Sequence, residues 1–177
     1  MRTSPRQGRP IRAVLLLLVV LLSLVAPAAC RRPAPALTNT FASPEDLARE
    51  VLARLLRRDQ AALAALALTH DEFKAFVWPT LPASRPETNM PLSFVWGRLK
   101  QQSDLSLAAT VARHGGRAYV LQQVLFDGET TESGALRVQR DSILVVRTPE
   151  GAVERVKIFG SMLSMNGRHK VFSYVVD

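Results

Sequence analysis

The chain has one cysteine, Cys30, so it can form no internal disulfide, and its stability must come from a packed core. Aromatic residues make up 6% of the sequence, and no block of basic residues interleaves with them. A nucleic-acid partner is therefore not expected. No uninterrupted apolar run reaches the roughly 18 residues of a membrane span, the longest covering residues 13–26. The chain has no GxSxG, no phosphate-cradling glycine loop, no dinucleotide fingerprint and no HExxH. The common hydrolase, nucleotide and zinc-protease signatures are thus missing, and no cofactor is expected.

The formal net charge of +8 is concentrated at the start. Arg2, Arg6, Arg9 and Arg12 carry four positive charges with no acid among them. After residue 29 the balance is 23 − 4 = 19 basic against 15 acidic residues, a net +4, which bears on solubility and does not mark a nucleic-acid footprint. The basic start, the short apolar run and the small residues Ala26, Ala28 and Ala29 together predict a signal peptide over residues 1–29. Pro27, Ala28, Ala29 and Cys30 resemble the bacterial lipobox, with Pro27 where a lipobox usually has Leu. That resemblance implies a lipidated Cys30 as the mature N-terminus and a membrane anchor without a spanning helix. The competing reading is ordinary cleavage near Ala28, leaving Cys30 a free thiol. By analogy with Gram-negative sorting, Arg31 favours the outer membrane, facing the periplasm. Residues 30–42, with Pro33 and Pro35, read as the lipidated Cys and a flexible tether. Arg31 and Arg32 can each gain about 1 kcal/mol from anionic lipid.

Residues 43–177 read as a single α+β domain of ordinary size. Ser43 and Pro44 open an amphipathic helix over 44–57, with Leu47, Val51 and Leu55 on one stripe. Asp59 caps a second helix to Leu68, and Thr69 with Glu72 forms a capping box for a third, ended by Pro79. Residues 79–90 form a proline-rich loop of the length at which binding loops are common. Pro91 opens a helix carrying Leu92, Val95, Trp96 and Leu99 and ending near Gln102.

Alternation at Leu105, Leu107, Ala109 and Val111 then predicts a first strand, with Gly115 and Gly116 as a hairpin turn. Residues 119–126, apolar on both faces, predict a central strand, followed by a polar loop over 127–134. Strands are predicted at 136–146, at 153–163 with a bend at Gly160, and at 171–176 after a type I′ turn at Asn166 and Gly167. Helices followed by a bent antiparallel meander of about five strands resemble the NTF2-like (cystatin-related) cone over residues 44–177. The resemblance implies a sheet curled around the helices, an internal pocket, and dimers formed through the sheet. That superfamily holds enzymes, carriers and protein-binding modules, so the fold alone does not fix function.

Three groups of polar or aromatic residues are site candidates. Gln122 and Gln123, the run Arg140, Asp141 and Ser142, and Ser161 interrupt otherwise apolar strands. Turned inward they would form a polar pocket, but adjacent residues alternate, so one of each pair would face water. His70, Asp71 and Glu72 with His114 and His169 have ligand chemistry without ligand spacing, and capping already accounts for the first three. Phe76, Trp78 and Trp96 flank the proline loop and can line a pocket or fill a core. The leading expectation is a non-enzymatic ligand- or protein-binding domain, with Gln122, Arg140, Ser142, Trp78 and Trp96 as ligand contacts. The alternative is an enzyme working in a polar cavity, with Asp141 as acid or base beside Arg140.

Overall fold

The computed structural model describes residues 36–176; the export segment, Cys30 and the first part of the expected tether lie outside the described residues. Helix α1 (Pro44–Leu56) starts as its sequence dictates: the Ser43 hydroxyl accepts a hydrogen bond from the Asp46 N–H at 3.0 Å, and Pro44 occupies the first turn. Its stripe of Leu47, Val51 and Leu55 is fully buried. Helix α2 (Gln60–Leu66) is capped by Asp59, whose carboxylate accepts from the Ala62 N–H at 2.9 Å. The Thr69–Glu72 capping box forms, but the helix it opens, α3 (His70–Glu72), lasts a single turn. It continues as a wide π turn (Phe73–Val77) and a 3-10 turn (Trp78–Thr80), which places Pro79 inside a helical turn and not after it. Two further 3-10 turns, Pro82–Ser84 and Pro86–Thr88, fill the proline loop.

The largest departure from the sequence reading is helix α4, Leu92–His114. It absorbs residues 105–111, which had read as the first strand. The alternation there misleads because helix formers dominate and the inward face follows a helical period: Ser103, Leu107 and Thr110 are buried while Leu105 stays 66% exposed. Gly115 and Gly116 end this helix and form no hairpin: the Gly115 N–H bonds Val111, and Gly116 (φ 85°) turns the chain so that its N–H reaches Leu55.

Seven strands follow: β1 (Val120–Phe126), β2 (Thr130–Ser133), β3 (Leu136–Gln139), β4 (Ser142–Arg147), β5 (Val153–Val156), β6 (Ser161–Met165) and β7 (Arg168–Ser173). They form two antiparallel sheets, a three-stranded one ordered β1-β4-β5 and a four-stranded one ordered β2-β3-β6-β7. Each predicted long strand is split at a bend, its two halves serving the two sheets. Asp141, at φ 51°, breaks the arm between β3 and β4, and residues 157–160 break the arm between β5 and β6. At Gly160 a Cβ would collide with the Val175 carbonyl, so only glycine fits that bend. The expected polar loop over 127–134 supplies β2, and β1 lies at a sheet edge instead of the centre. Asn166 and Gly167 both take positive φ, as the type I′ reading requires.

The main core joins α1, α2 and the middle of α4 to the inner faces of both sheets through Leu47, Leu55, Leu63, Leu107, Leu144 and Met162. Tyr174 crosses it, its hydroxyl donating to the Leu63 carbonyl at 2.7 Å, and burial pushes its pKa well up. A second cluster of Leu68, Phe73, Val77, Leu136 and Leu163 lies beneath the π turn and the start of α4.

Before α1, residues 37–41 run as a docked strap. Phe41 exchanges backbone hydrogen bonds with His169 at 2.9 Å in both directions, and Leu37 packs on the second cluster. The stretch read as a flexible tether is thus held to the domain from Leu37 onward.

Candidate functional site

A cleft of about 280 Å³ opens on the face of the four-stranded sheet that looks toward α4 and the π turn. The register shows how the sequence builds it. Thr131 pairs with Val138 and Ser133 with Leu136, so the inward phase of β2 brings hydroxyls beside the inward apolar residues of β3. Val138 in turn pairs with Leu163 of β6, and the same phase continues through Ser161 to Ser173 of β7. Val77 and Leu81 from the turn region, Leu99 and Gln102 from α4, and Phe172 and Val175 complete the walls.

Arg140, two residues beyond Val138, is the one ionisable residue lining the cleft among the described residues. Its backbone N–H bonds the Glu129 carbonyl, but its side chain has no hydrogen-bond or ion-pair partner among the described residues. The cleft therefore presents apolar walls, a set of hydroxyls and, among the described residues, one solvent-exposed positive charge. Asp141 is directed elsewhere: its Oδ1 lies 3.3 Å from Lys157 Nζ, and it does not line the cleft. The left-handed backbone at Asp141 separates the two neighbours.

Of the other sequence candidates, Gln122 and Gln123 are exposed on β1, at the bulge where its register with β4 slips. Ser142 is buried with an unpartnered hydroxyl and does not reach the cleft. Ser161 does line it. Trp78 and Trp96 are half-buried and pack on the second cluster, tilted against Phe73 at ring-centroid distances of 6.4 and 5.3 Å. Trp96 also stands edge-on to His70 at 5.6 Å and borders a small hollow of about 30 Å³. Neither Trp lines the cleft; the part of the proline loop that does is its start, Thr80 and Leu81.

The three histidines are separate. His70 leans on Asp71, with Nδ1 3.3 Å from Oδ1. His114 lies 3.0 Å from the Tyr119 hydroxyl, and burial together with Arg113 and Arg117 lowers its pKa. His169, its Nδ1 unpartnered, is also pushed down by burial. Among the described residues no three His, Cys, Asp or Glu side chains come close enough to hold a metal ion, and no helix is long and apolar enough to cross a membrane.

Sequence reasoning missed two features. The first is the hydroxyl wall from β2, for which the alternation in Thr130, Thr131, Glu132 and Ser133 was the available signal. The second is a buried ion pair. Lys170 is 0% exposed and Glu72 4%. Lys170 Nζ lies 3.2 Å from Glu72 Oε2 and donates to the Thr38 carbonyl at 2.6 Å. Glu72 accepts the Thr38 N–H at 2.6 Å, the Thr38 hydroxyl at 2.9 Å and the Thr69 N–H at 2.8 Å. Burial acts to raise the Glu72 pKa, but the two backbone donors and Lys170 outweigh it and hold the carboxylate below its ordinary range. Burial lowers the Lys170 pKa, with Glu72 opposing. The capping glutamate of α3 thus also clamps the strap to β7.

The chain matches no family model, no curated protein and no solved structure.

Proposed function

We propose that this chain is an exported lipoprotein, anchored through Cys30 to the outer membrane and facing the periplasm, whose NTF2-like cone binds a small ligand without catalysing a reaction on it. The observation that carries the binding reading is the cleft itself: about 280 Å³ of apolar wall with hydroxyls and a solvent-exposed Arg140 that has no ion-pair partner among the described residues. That is close to the smaller ligand pockets, which are mostly apolar with a few convergent polar groups. An enzyme in this cleft would need a second titratable group beside Arg140, and Asp141 is turned to Lys157 instead. The cone reading rests on helices α1, α2 and α4 packed inside a meander whose arms bend at shared positions. The anchoring reading rests on the signal-peptide pattern and on Cys30 as the only cysteine.

Native mass spectrometry on the full chain extracted from bacterial membranes tests both parts. The expected spectrum carries the added mass of acyl chains on Cys30, lost in Cys30→Ala. It also carries a second, non-covalent mass that disappears in Val138→Trp, which fills the cleft. An unmodified Cys30 would end the anchoring reading. A ligand that survives Val138→Trp would end the assignment of the cleft as the site.

A further inference from the structure

The lining of the cleft selects a chemical class of ligand, and this step rests on the binding reading above. We infer that the cleft takes a single-chain amphiphile with a carboxylate head, the head on Arg140 and the chain along the apolar wall.

Charge is the first reason. Arg140 is the only ionisable lining residue, and its guanidinium has no partner among the described residues. Arg140 is solvent-exposed, and its planar guanidinium can bind a monoanion with two acceptor oxygens bidentately. A cation would meet like charge with no carboxylate to balance it. A phosphate dianion would find one arginine and no second cation among the described lining residues.

The placement of the charge within the cleft is the second reason, because it lies at one end. Gln139, next to Arg140, pairs with Met162, and Ser161 pairs with Ser173. Arg140, Ser161 and Ser173 therefore gather at the end where the arms bend, where two hydroxyls can donate to the same head group. Leu136 and Val138 extend from that end along β3 with the Thr131 and Ser133 hydroxyls beside them, and Leu81 and Leu99 add further apolar wall. Volume is the third reason: about 280 Å³ is room enough for a short chain.

The test is photo-crosslinking of the full chain in nanodiscs of zwitterionic phosphatidylcholine. The probes are three ten-carbon chains with a terminal diazirine, bearing a carboxylate, an alcohol or a trimethylammonium head, and labelled peptides are mapped by mass spectrometry. The carboxylate probe is expected to label the peptide spanning residues 136–140 about tenfold more than the other two, the factor for a charge-assisted pair. Arg140→Gln should bring carboxylate labelling down to the alcohol level, and Val138→Trp should remove cleft labelling by all three. Equal labelling by carboxylate and alcohol, or undiminished labelling in Arg140→Gln, overturns the head-group assignment and leaves the binding reading standing. No cleft labelling by any probe overturns both.

Discussion

The two apolar regions of this domain are built to different standards. In the main core Leu47, Val51, Leu55, Leu63, Leu66, Leu144 and Met162 are completely buried and come from regular helices and paired strands. In the second cluster few side chains are fully covered, and most of its apolar partners, including Phe76, Trp78, Leu81, Leu99 and Phe172, are half-buried. Part of its backbone is irregular, a π turn and a 3-10 turn carrying Phe73, Phe76, Val77 and Trp78, beside the start of α4 and strands β3, β6 and β7. Irregular turns of this kind satisfy fewer regular hydrogen bonds and often sit at functional sites. The cleft lies on the loosely packed side. One region supplies stability while the other leaves space, and local stability is expected to differ between them.

The largest effect is expected at the buried ion pair that holds the strap. Lys170→Met leaves Glu72 buried without its cation and should cost about 3–5 kcal/mol in a urea titration. Adding Glu72→Gln should return much of that loss, since the second change removes the uncompensated charge. A double variant no more stable than Lys170→Met would show that the loss does not come from the uncompensated charge on Glu72.

A matched pair of truncations measures the contrast itself. Leu55→Ala in the main core should cost about 3 kcal/mol, the transfer term plus a cavity. Leu99→Ala, half-buried on the cleft wall, should cost about 1 kcal/mol, because the space beside it is already open. Equal losses in the same titration would erase the distinction.

Acid should reach both regions with one sign. His114 and His169 have pKa values below the ordinary 6.5. The unfolded chain therefore binds their protons first, and stability falls as pH drops below about 6.5. Glu72, held below its ordinary 4.5, adds a second loss as pH falls further through its folded value. Thermal melts between pH 8 and 3 should show midpoints falling in two stages; midpoints that rise toward pH 5 would contradict the burial of both histidines as neutral rings. The smallest effect is expected at Asp141→Asn. Asparagine tolerates the left-handed backbone and the lost partner, Lys157, is partly exposed, so the stability change should stay within about 0.5 kcal/mol. Ligand binding should be unchanged by isothermal titration.

Capping chemistry was legible in the sequence wherever it is local. Ser43, Asp59 and the Thr69–Glu72 box each act at their expected places, because such signals need only three or four neighbouring residues. The turn at Asn166 and Gly167 was legible for the same reason. Period was less reliable. Leu105, Leu107, Ala109 and Val111 satisfy an alternation, but only Leu107 and the half-buried Val111 share the inward face of a helix that packing extends to His114. The bends were legible at Gly160 and hidden at Asp141, since a left-handed aspartate leaves no strong mark in a sequence. Arg140 was a readable site candidate; its separation from Asp141 was not, as it depends on that one backbone angle. Lys170 was unreadable as a buried residue because its partner lies 98 positions earlier, (170 − 72), in a motif already explained.

The docked strap limits how far the domain can travel. If Cys30 carries the anchor, only the stretch up to Leu37 is left to span from lipid to protein, at most about 25 Å fully extended. The domain would then be leashed close to its membrane, reaching partners or ligands at the bilayer and not across the compartment. A pull on that leash would meet the Thr38 backbone first. Thr38 is gripped from one side by Glu72 and from the other by Lys170, so the force would pass into α3 and β7 together instead of peeling the strap away.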